Sequence, residues 1–157
     1  VMTGGEISGN TVKNHSGVGV YGSIYLGGTA KITGNTFSDG KTANNLYLPN
    51  GKTVTLGTEG NAPVTTDAGK GKMSIGVTMQ TAGKFTPPAS GAEAAKDCFT
   101  SDDDDYIVKY NEGTETAGDE YLELVAKKYN VTAQVQGSHG TATVEVDDEA
   151  VTEAVTA

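Results

Sequence analysis

A six-residue string that occurs twice constrains the fold of this chain more than any other feature. Residues 6–11 read Glu-Ile-Ser-Gly-Asn-Thr, and residues 31–36, 25 positions later, read Lys-Ile-Thr-Gly-Asn-Thr. A second string, Ser-Ile-Tyr-Leu at 23–26, recurs as Asn-Leu-Tyr-Leu at 45–48, an offset of 22. This period is too short for a four-stranded propeller blade, and it fits one turn of a solenoid built from three short strands.

Equivalent residues of a parallel solenoid stack on each other, about 4.8 Å apart along its axis. We therefore expect four stacked pairs: Ile7 with Ile32, Ile24 with Leu46, Tyr25 with Tyr47, and Asn10 with Asn35. Stacked asparagines can pair their side-chain amides as a ladder. An antiparallel sandwich with coincidental similarity between the strings remains the alternative.

The chain divides into three parts by composition. Residues 1–80 alternate apolar with polar or small residues, as short half-buried strands do. Residues 81–128 are predicted to form a closing segment with a short helix at 89–96 and a hairpin of strands 106–110 and 121–126. Residues 129–157 resemble the start of a second β-module, and we expect the chain to be a piece of a longer protein.

Charge and composition exclude several classes of protein. Acidic residues number 20 against 11 basic ones, all of them lysine, and the net charge of −9 argues against nucleic-acid binding. No apolar run approaches the roughly 20 residues that a membrane span needs. The single cysteine, Cys98, can form neither an internal disulfide nor a cysteine-based zinc site, and we expect it to be a buried small hydrophobe.

The two Gly-Asn-Thr strings, with Gly-Val-Gly-Val-Tyr at 17–21 and Asn-Asn-Leu-Tyr-Leu at 44–48, resemble pectin-lyase-like repeats of Gram-positive gut bacterial surface proteins. Residues 99–108 look like the closing segment that often follows such repeats, and the chain from Tyr129 is similar to the first hairpin of an internalin-B-repeat module. The resemblance implies an all-β fold, a right-handed parallel β-helix (solenoid) fragment with a C-terminal β-hairpin closing segment. It also implies an extracellular location at the bacterial cell surface.

The fold implied by this resemblance also occurs in polysaccharide lyases and glycoside hydrolases, so catalysis has to be considered. The chain lacks arginine, which serves as the base in pectate lyases. Residues 1–80 hold four acids, Glu6, Asp39, Glu59 and Asp67, and their spacing does not predict the carboxylate pair that a glycosidase needs. We therefore predict a non-enzymatic structural or adhesive segment without catalytic residues. A truncated carbohydrate-active enzyme is the alternative.

Neither a metal site nor a cofactor is predicted. The aspartates at 102–105 lack the EF-hand pattern, and on a strand they would point alternately to opposite faces, so we interpret them as a solvated acidic turn. His15 and His139 lie among glycine, serine and asparagine, with no second ligand at metal-binding spacing.

Three tyrosines are the candidate binding residues: Tyr21, Tyr25 and Tyr47. If Ile24, Leu26, Leu46 and Leu48 face the core, alternation turns Tyr25 and Tyr47 outward. Aromatic rings on a flat sheet provide a surface for sugar rings or for a partner protein. The expected partner is an extracellular glycan or a host surface protein.

Overall fold

A computed structural model of the chain describes residues 1–13, 17–57, 72–88, 92–114 and 118–128. These residues form an all-β structure with one short helix, α1 (Ala92–Lys96). The strands are β1 (Glu6–Ile7), β2 (Thr11–Val12), β3 (Val18–Gly19), β4 (Ile24–Leu26), β5 (Lys31–Ile32), β6 (Thr36–Phe37), β7 (Leu46–Leu48), β8 (Val54–Leu56), β9 (Ser74–Met79), β10 (Phe99–Ser101), β11 (Tyr106–Asn111) and β12 (Tyr121–Ala126).

The largest sheet is parallel and brings strands that are distant in sequence into register. Its order is β1-β5-β9-β7-β3, and β10 also pairs with β9. Ile7 lies opposite Ile32, and Ile32 lies opposite Ile75. The predicted pairing of Ile7 with Ile32 is therefore confirmed, and the antiparallel alternative is wrong for these strings. Two smaller sheets, β2 with β6 and β4 with β8, are also parallel pairs.

The second predicted pairing is wrong. Ile24 lies opposite Val54, and Leu46 lies between Val18 and Val77. The cause is an inserted hairpin after β6, in which Phe37 N donates to Thr42 O at 2.9 Å. This insertion raises the spacing between paired strands above 25 residues, so the string at 45–48 occupies the position of β3 rather than that of β4.

Apolar side chains from the paired strands form one continuous core. Fully buried members include Leu26, Ile32, Leu46, Leu48, Val54, Met73, Ile75 and Val77. On β7 the two leucines are buried and Tyr47 between them is half-buried, as strand alternation requires. The core continues into Phe85, Phe99, Leu122 and Leu124, and the rings of Phe85 and Phe99 meet edge to face at 5.3 Å.

The segment after β9 contains a strand that the sequence analysis did not predict. Phe99–Ser101 forms β10, which extends the parallel sheet because Phe99 pairs with Ile75. Strands β11 and β12 pair with each other, and the bounds of β12 match the predicted strand. β12 also contacts the preceding chain: Phe85 N donates to Leu122 O at 2.9 Å, and Leu124 N donates to Gly83 O at 2.9 Å. The core therefore extends under β12.

The chain divides into two compact units, Val1–Val125 and Ala126–Ala157. All of the strands discussed above belong to the first unit, apart from the last residue of β12. The predicted second module at 129–157 lies outside the described residues. Within the described ranges, no helix has the length and apolar character needed to cross a membrane.

Cys98 follows α1 in the core, and 2% of its surface is exposed. Burial raises the pKa of the Cys98 thiol above its ordinary value, because the thiolate would be desolvated. We predict that Cys98 resists alkylation by iodoacetamide at pH 8 in the native protein and reacts fully in urea. Mass spectrometry after timed quenching measures the extent of Cys98 alkylation in both conditions. Equal rates in the two conditions would contradict the packing of α1 and β10.

Candidate functional site

A ladder of hydrogen-bonded asparagine side chains joins segments that are distant in the sequence. Asn10 donates from both its backbone N, at 3.1 Å, and its Nδ2, at 2.8 Å, to Asn35 Oδ1. The predicted stacking of these two asparagines is confirmed. Asn35 is fully buried, and its Nδ2 also donates to Ile7 O at 2.9 Å. The buried amide is thereby satisfied, which avoids the cost of an unpaired polar group in the core.

The ladder continues through two residues that the sequence analysis missed. Asn35 donates from its backbone N, at 2.8 Å, and from Nδ2, at 3.0 Å, to Asn45 Oδ1. Asn45 in turn donates from its backbone N to Asp102 Oδ2 at 2.7 Å and from Nδ2 to Asp102 Oδ1 at 2.6 Å. The hydrogen bonds between side chains therefore run from Asn10 through Asn35 and Asn45 to Asp102. The Asp102 carboxylate ends the ladder as an acceptor and also accepts from Thr78 Oγ1 at 2.8 Å.

Two glycines leave room for this ladder. A Cβ added to Gly76 on β9 would lie 2.3 Å from Asp102 Oδ1 and 2.4 Å from Asn45 Nδ2. A Cβ added to Gly17 would lie 2.8 Å from Asn35 Cβ. Neither glycine has a positive φ, so the requirement here is space rather than backbone conformation. Side chains at these two positions would displace the ladder.

The aspartates at 102–105 do not lie on a strand, so the premise of alternating carboxylates is wrong. β10 ends at Ser101, and a turn follows in which Tyr106 N donates to Asp103 O at 3.1 Å. Asp103, Asp104 and Asp105 are exposed, as a solvated turn predicts, but Asp102 is half-buried and bonded to Asn45 and Thr78. The sequence alone does not predict the contact between Asp102 and Asn45, because the two residues are 57 positions apart.

Asp102 also forms part of the wall of a groove of about 620 Å³, which we call the Asp102 groove. Its lining combines an aromatic ring, a lysine, hydroxyl groups and carboxylates: Phe37, Lys41, Thr42, Ala43, Thr78, Ser101, Asp102, Asp103 and Asp104. The volume falls within the range of small-ligand sites. Carboxylates accept hydrogen bonds, lysine donates them and the ring offers apolar contact, so the groove suits a polar ligand that has some apolar surface.

Both walls of the Asp102 groove are short turns held by local hydrogen bonds. On one wall, Asp39 accepts from Lys41 N and Thr42 N, each at 2.9 Å, and from Thr42 Oγ1. The Thr42 hydroxyl, followed by the two backbone amides, holds the pKa of Asp39 below its usual value. On the other wall, Ser101 Oγ donates to Asp103 O at 2.8 Å. These bonds orient the turns that border the groove.

A second cleft, of about 330 Å³, adjoins the Asp102 groove and shares Thr78 and Asp103 with it. Its other lining residues are more apolar and include Met79, Ala82, Tyr106 and Leu124. Thr78 therefore lies between a polar and an apolar depression on the same surface. An elongated ligand could contact both.

The structure does not stack the predicted tyrosine pair. Tyr25 lies opposite Thr55 in the β4–β8 pair, whereas Tyr47 lies between Gly19 and Thr78 in the large sheet. Tyr25 and Tyr47 are half-buried, and Tyr21 has 66% of its surface exposed. The error follows from the misassigned repeat, because the two similar strings belong to different sheets. Tyr47 is the tyrosine whose register partner, Thr78, lines the Asp102 groove.

The remaining candidate residues divide between described and undescribed parts of the chain. His15, His139, Glu59 and Asp67 lie outside the described residues. In the described part, no group of three or more histidine, cysteine, aspartate or glutamate side chains is arranged to hold a metal ion. The absence of a calcium site at the 102–105 turn stays a prediction, which calorimetric titration of the protein and of an Asp103→Ala variant would test.

Comparison of the chain with known proteins found no matching family model, no matching curated protein and no matching solved structure.

Proposed function

We propose that this chain is a right-handed parallel β-helix segment that acts as a non-enzymatic structural or adhesive part of an exported bacterial cell-surface protein. The observation that carries the proposal is the in-register parallel stacking of Ile7, Ile32 and Ile75 beside the asparagine ladder. Repeats that stack in this way are extended along one axis and present long binding surfaces, which suits spacing and surface contact. The resemblance to pectin-lyase-like surface repeats supports the same function.

Within this proposal, the Asp102 groove is the contact surface that the geometry favours for a glycan or a host surface protein. It combines the aromatic ring of Phe37, the donor Lys41 and the exposed carboxylates of Asp103 and Asp104. Its position is fixed by the ladder, because Asp102 is held by three hydrogen bonds. A surface that is already ordered loses less entropy when it binds a partner.

The alternative function, a truncated carbohydrate-active enzyme, is favoured by one observation: three aspartates line the same groove. Asp102 is a poor candidate for proton transfer, because both of its oxygens accept hydrogen bonds from the ladder and Thr78. Asp103 and Asp104 would have to perform the chemistry. Cleavage of a polysaccharide by the intact protein, abolished by Asp103→Asn or Asp104→Asn, would support the enzyme and contradict our proposal.

We predict that the protein binds components of an array of host glycans and mucins and that Lys41→Ala with Asp104→Asn abolishes that binding. Both side chains are exposed, so the double variant should keep its fold, which circular dichroism and thermal unfolding check. A Tyr21→Ala, Tyr25→Ala variant serves as the matched control on the other predicted surface, and Tyr47→Ala tests the residue adjoining the groove.

The array distinguishes between the surfaces. Loss of binding in the Lys41 and Asp104 double variant alone would assign contact to the Asp102 groove. Loss in the Tyr21 and Tyr25 variant alone would assign contact to the tyrosines predicted from the sequence. Binding that survives in all three variants would contradict both assignments.

A further inference from the structure

The turn that joins β7 to β8 carries the one Asn-Gly dipeptide of the sequence, Asn50-Gly51. Lys52 N donates to Pro49 O at 3.0 Å across this turn, and Gly51 has a φ of 75°. Such a φ is accessible to glycine and strained for most other residues. Asn50 and Gly51 are both exposed. The dipeptide is therefore in contact with solvent at the tip of a short, tight connection.

We propose that Asn50 is a site of spontaneous deamidation that converts this turn to an aspartate or isoaspartate linkage. The Gly51 backbone nitrogen loses its proton and attacks Asn50 Cγ. A new C–N bond forms, and the side-chain nitrogen leaves as ammonia, so that a succinimide ring remains. Water then opens the ring at either carbonyl. Hydrolysis at the former side-chain carbonyl gives aspartate. Hydrolysis at the backbone carbonyl gives isoaspartate, in which the peptide chain continues through the side-chain carbonyl.

Three properties of the turn favour this reaction at Asn50. Gly51 has no Cβ, so nothing on the following residue crowds the attacking nitrogen. Among the described residues, neither the Asn50 side-chain amide nor the Gly51 backbone N has a hydrogen-bond partner; the bond at this position is from Asn50 N to Gln80 Oε1 at 3.2 Å. The side chain can therefore rotate toward the backbone without first breaking a contact.

The ladder asparagines show the opposite arrangement. Asn35 is fully buried, and its Nδ2 donates to Ile7 O, Thr33 O and Asn45 Oδ1. The Asn45 amide is held by Asp102 at 2.6 Å. Each is followed by a residue with a Cβ, Thr36 or Leu46. One folded molecule thus contains both the favoured site and its internal controls.

Deamidation would change the charge and the geometry of the β7–β8 connection. Each event adds one negative charge to a chain whose net charge is −9. The isoaspartate product also lengthens the backbone by one bond inside a turn closed by a single hydrogen bond between Lys52 and Pro49. The connection would loosen, although β7 and β8 keep their partners in different sheets.

The test is incubation of the intact, folded protein at mildly alkaline pH, followed by peptide mapping with mass spectrometry and chromatographic separation of the aspartate and isoaspartate forms. Asn50 should lose its amide at least about tenfold faster than the ladder residues Asn10, Asn35 and Asn45, a difference of about 1.4 kcal/mol in activation free energy. Circular dichroism during incubation shows that the protein stays folded.

An Asn50→Gln variant provides the matched chemical control, because its longer side chain keeps the amide but would have to form a larger ring. It should retain its charge over the same period. Deamidation of Asn50 no faster than that of Asn35 would overturn the proposal. Formation of aspartate without any isoaspartate would also overturn it, because direct hydrolysis passes through no succinimide.

Discussion

A Gly76→Ala variant should lose about 3 kcal/mol of its free energy of unfolding, because the added methyl group overpacks the end of the ladder and displaces charge-assisted hydrogen bonds. The new Cβ would lie 2.3 Å from Asp102 Oδ1 and 2.4 Å from Asn45 Nδ2. Both atoms belong to the same hydrogen bond, and their side chains are also bonded to Asn35 and Thr78, so a shift that relieves the clash would disturb the ladder. Urea unfolding monitored by circular dichroism measures the change.

Gly22→Ala is the matched control for this experiment. A Cβ added at Gly22 has no atom within 4 Å, and this glycine does not have a positive φ. The same substitution should therefore leave the free energy of unfolding unchanged at Gly22. If Gly76→Ala were equally harmless, the close approach of Asn45 and Asp102 across β9 would be wrong.

The second large effect is expected at the acceptor of the ladder. Asp102→Asn should destabilise the protein by about 2 kcal/mol, because an NH₂ group replaces one of the two accepting oxygens and a charged acceptor is lost. In one orientation the new NH₂ group would face the donor Asn45 Nδ2, and in the other it would face the donor Asn45 N. Denaturant titration at neutral pH measures the loss.

Asp104→Asn makes the same chemical change two positions away, at an exposed carboxylate. Its free energy of unfolding should match that of the parent protein. Equal losses for the two variants would indicate a general effect of charge in the acidic turn. Stability unchanged in both would contradict the role of Asp102 as the end of the ladder.

The sequence predicted those contacts that follow from one uninterrupted period. Ile7 with Ile32 and Asn10 with Asn35 share an offset of 25 residues, and the repeated Gly-Asn-Thr string is sufficient to align them. Alternation likewise predicted that Leu46 and Leu48 would be buried on either side of Tyr47. Local pattern is enough in these cases because the paired segments carry the same residue types.

Prediction failed where the repeat period is interrupted or where two contacting residues are far apart in the sequence. The hairpin after β6 shifts all later positions, so the similarity between residues 23–26 and 45–48 aligned strands of different sheets. Asp102 reaches Asn45 only after the chain has formed β9 and β10, and no local signal encodes a contact of that separation. The Asp102 groove was missed for the same reason, since its two walls meet only in the folded chain.

Methyl NMR of isoleucine-labelled protein tests the central claim, the parallel in-register stack, most directly. The chain has only five isoleucines, so the methyl signals of Ile7, Ile32 and Ile75 can be assigned by single substitutions to valine. Neighbouring positions in stacked layers lie about 4.8 Å apart. We predict nuclear Overhauser contacts between Ile7 and Ile32 and between Ile32 and Ile75, with no direct contact between Ile7 and Ile75. A spectrum in which Ile32 contacts neither of the other two would contradict the stack and the function proposed from it.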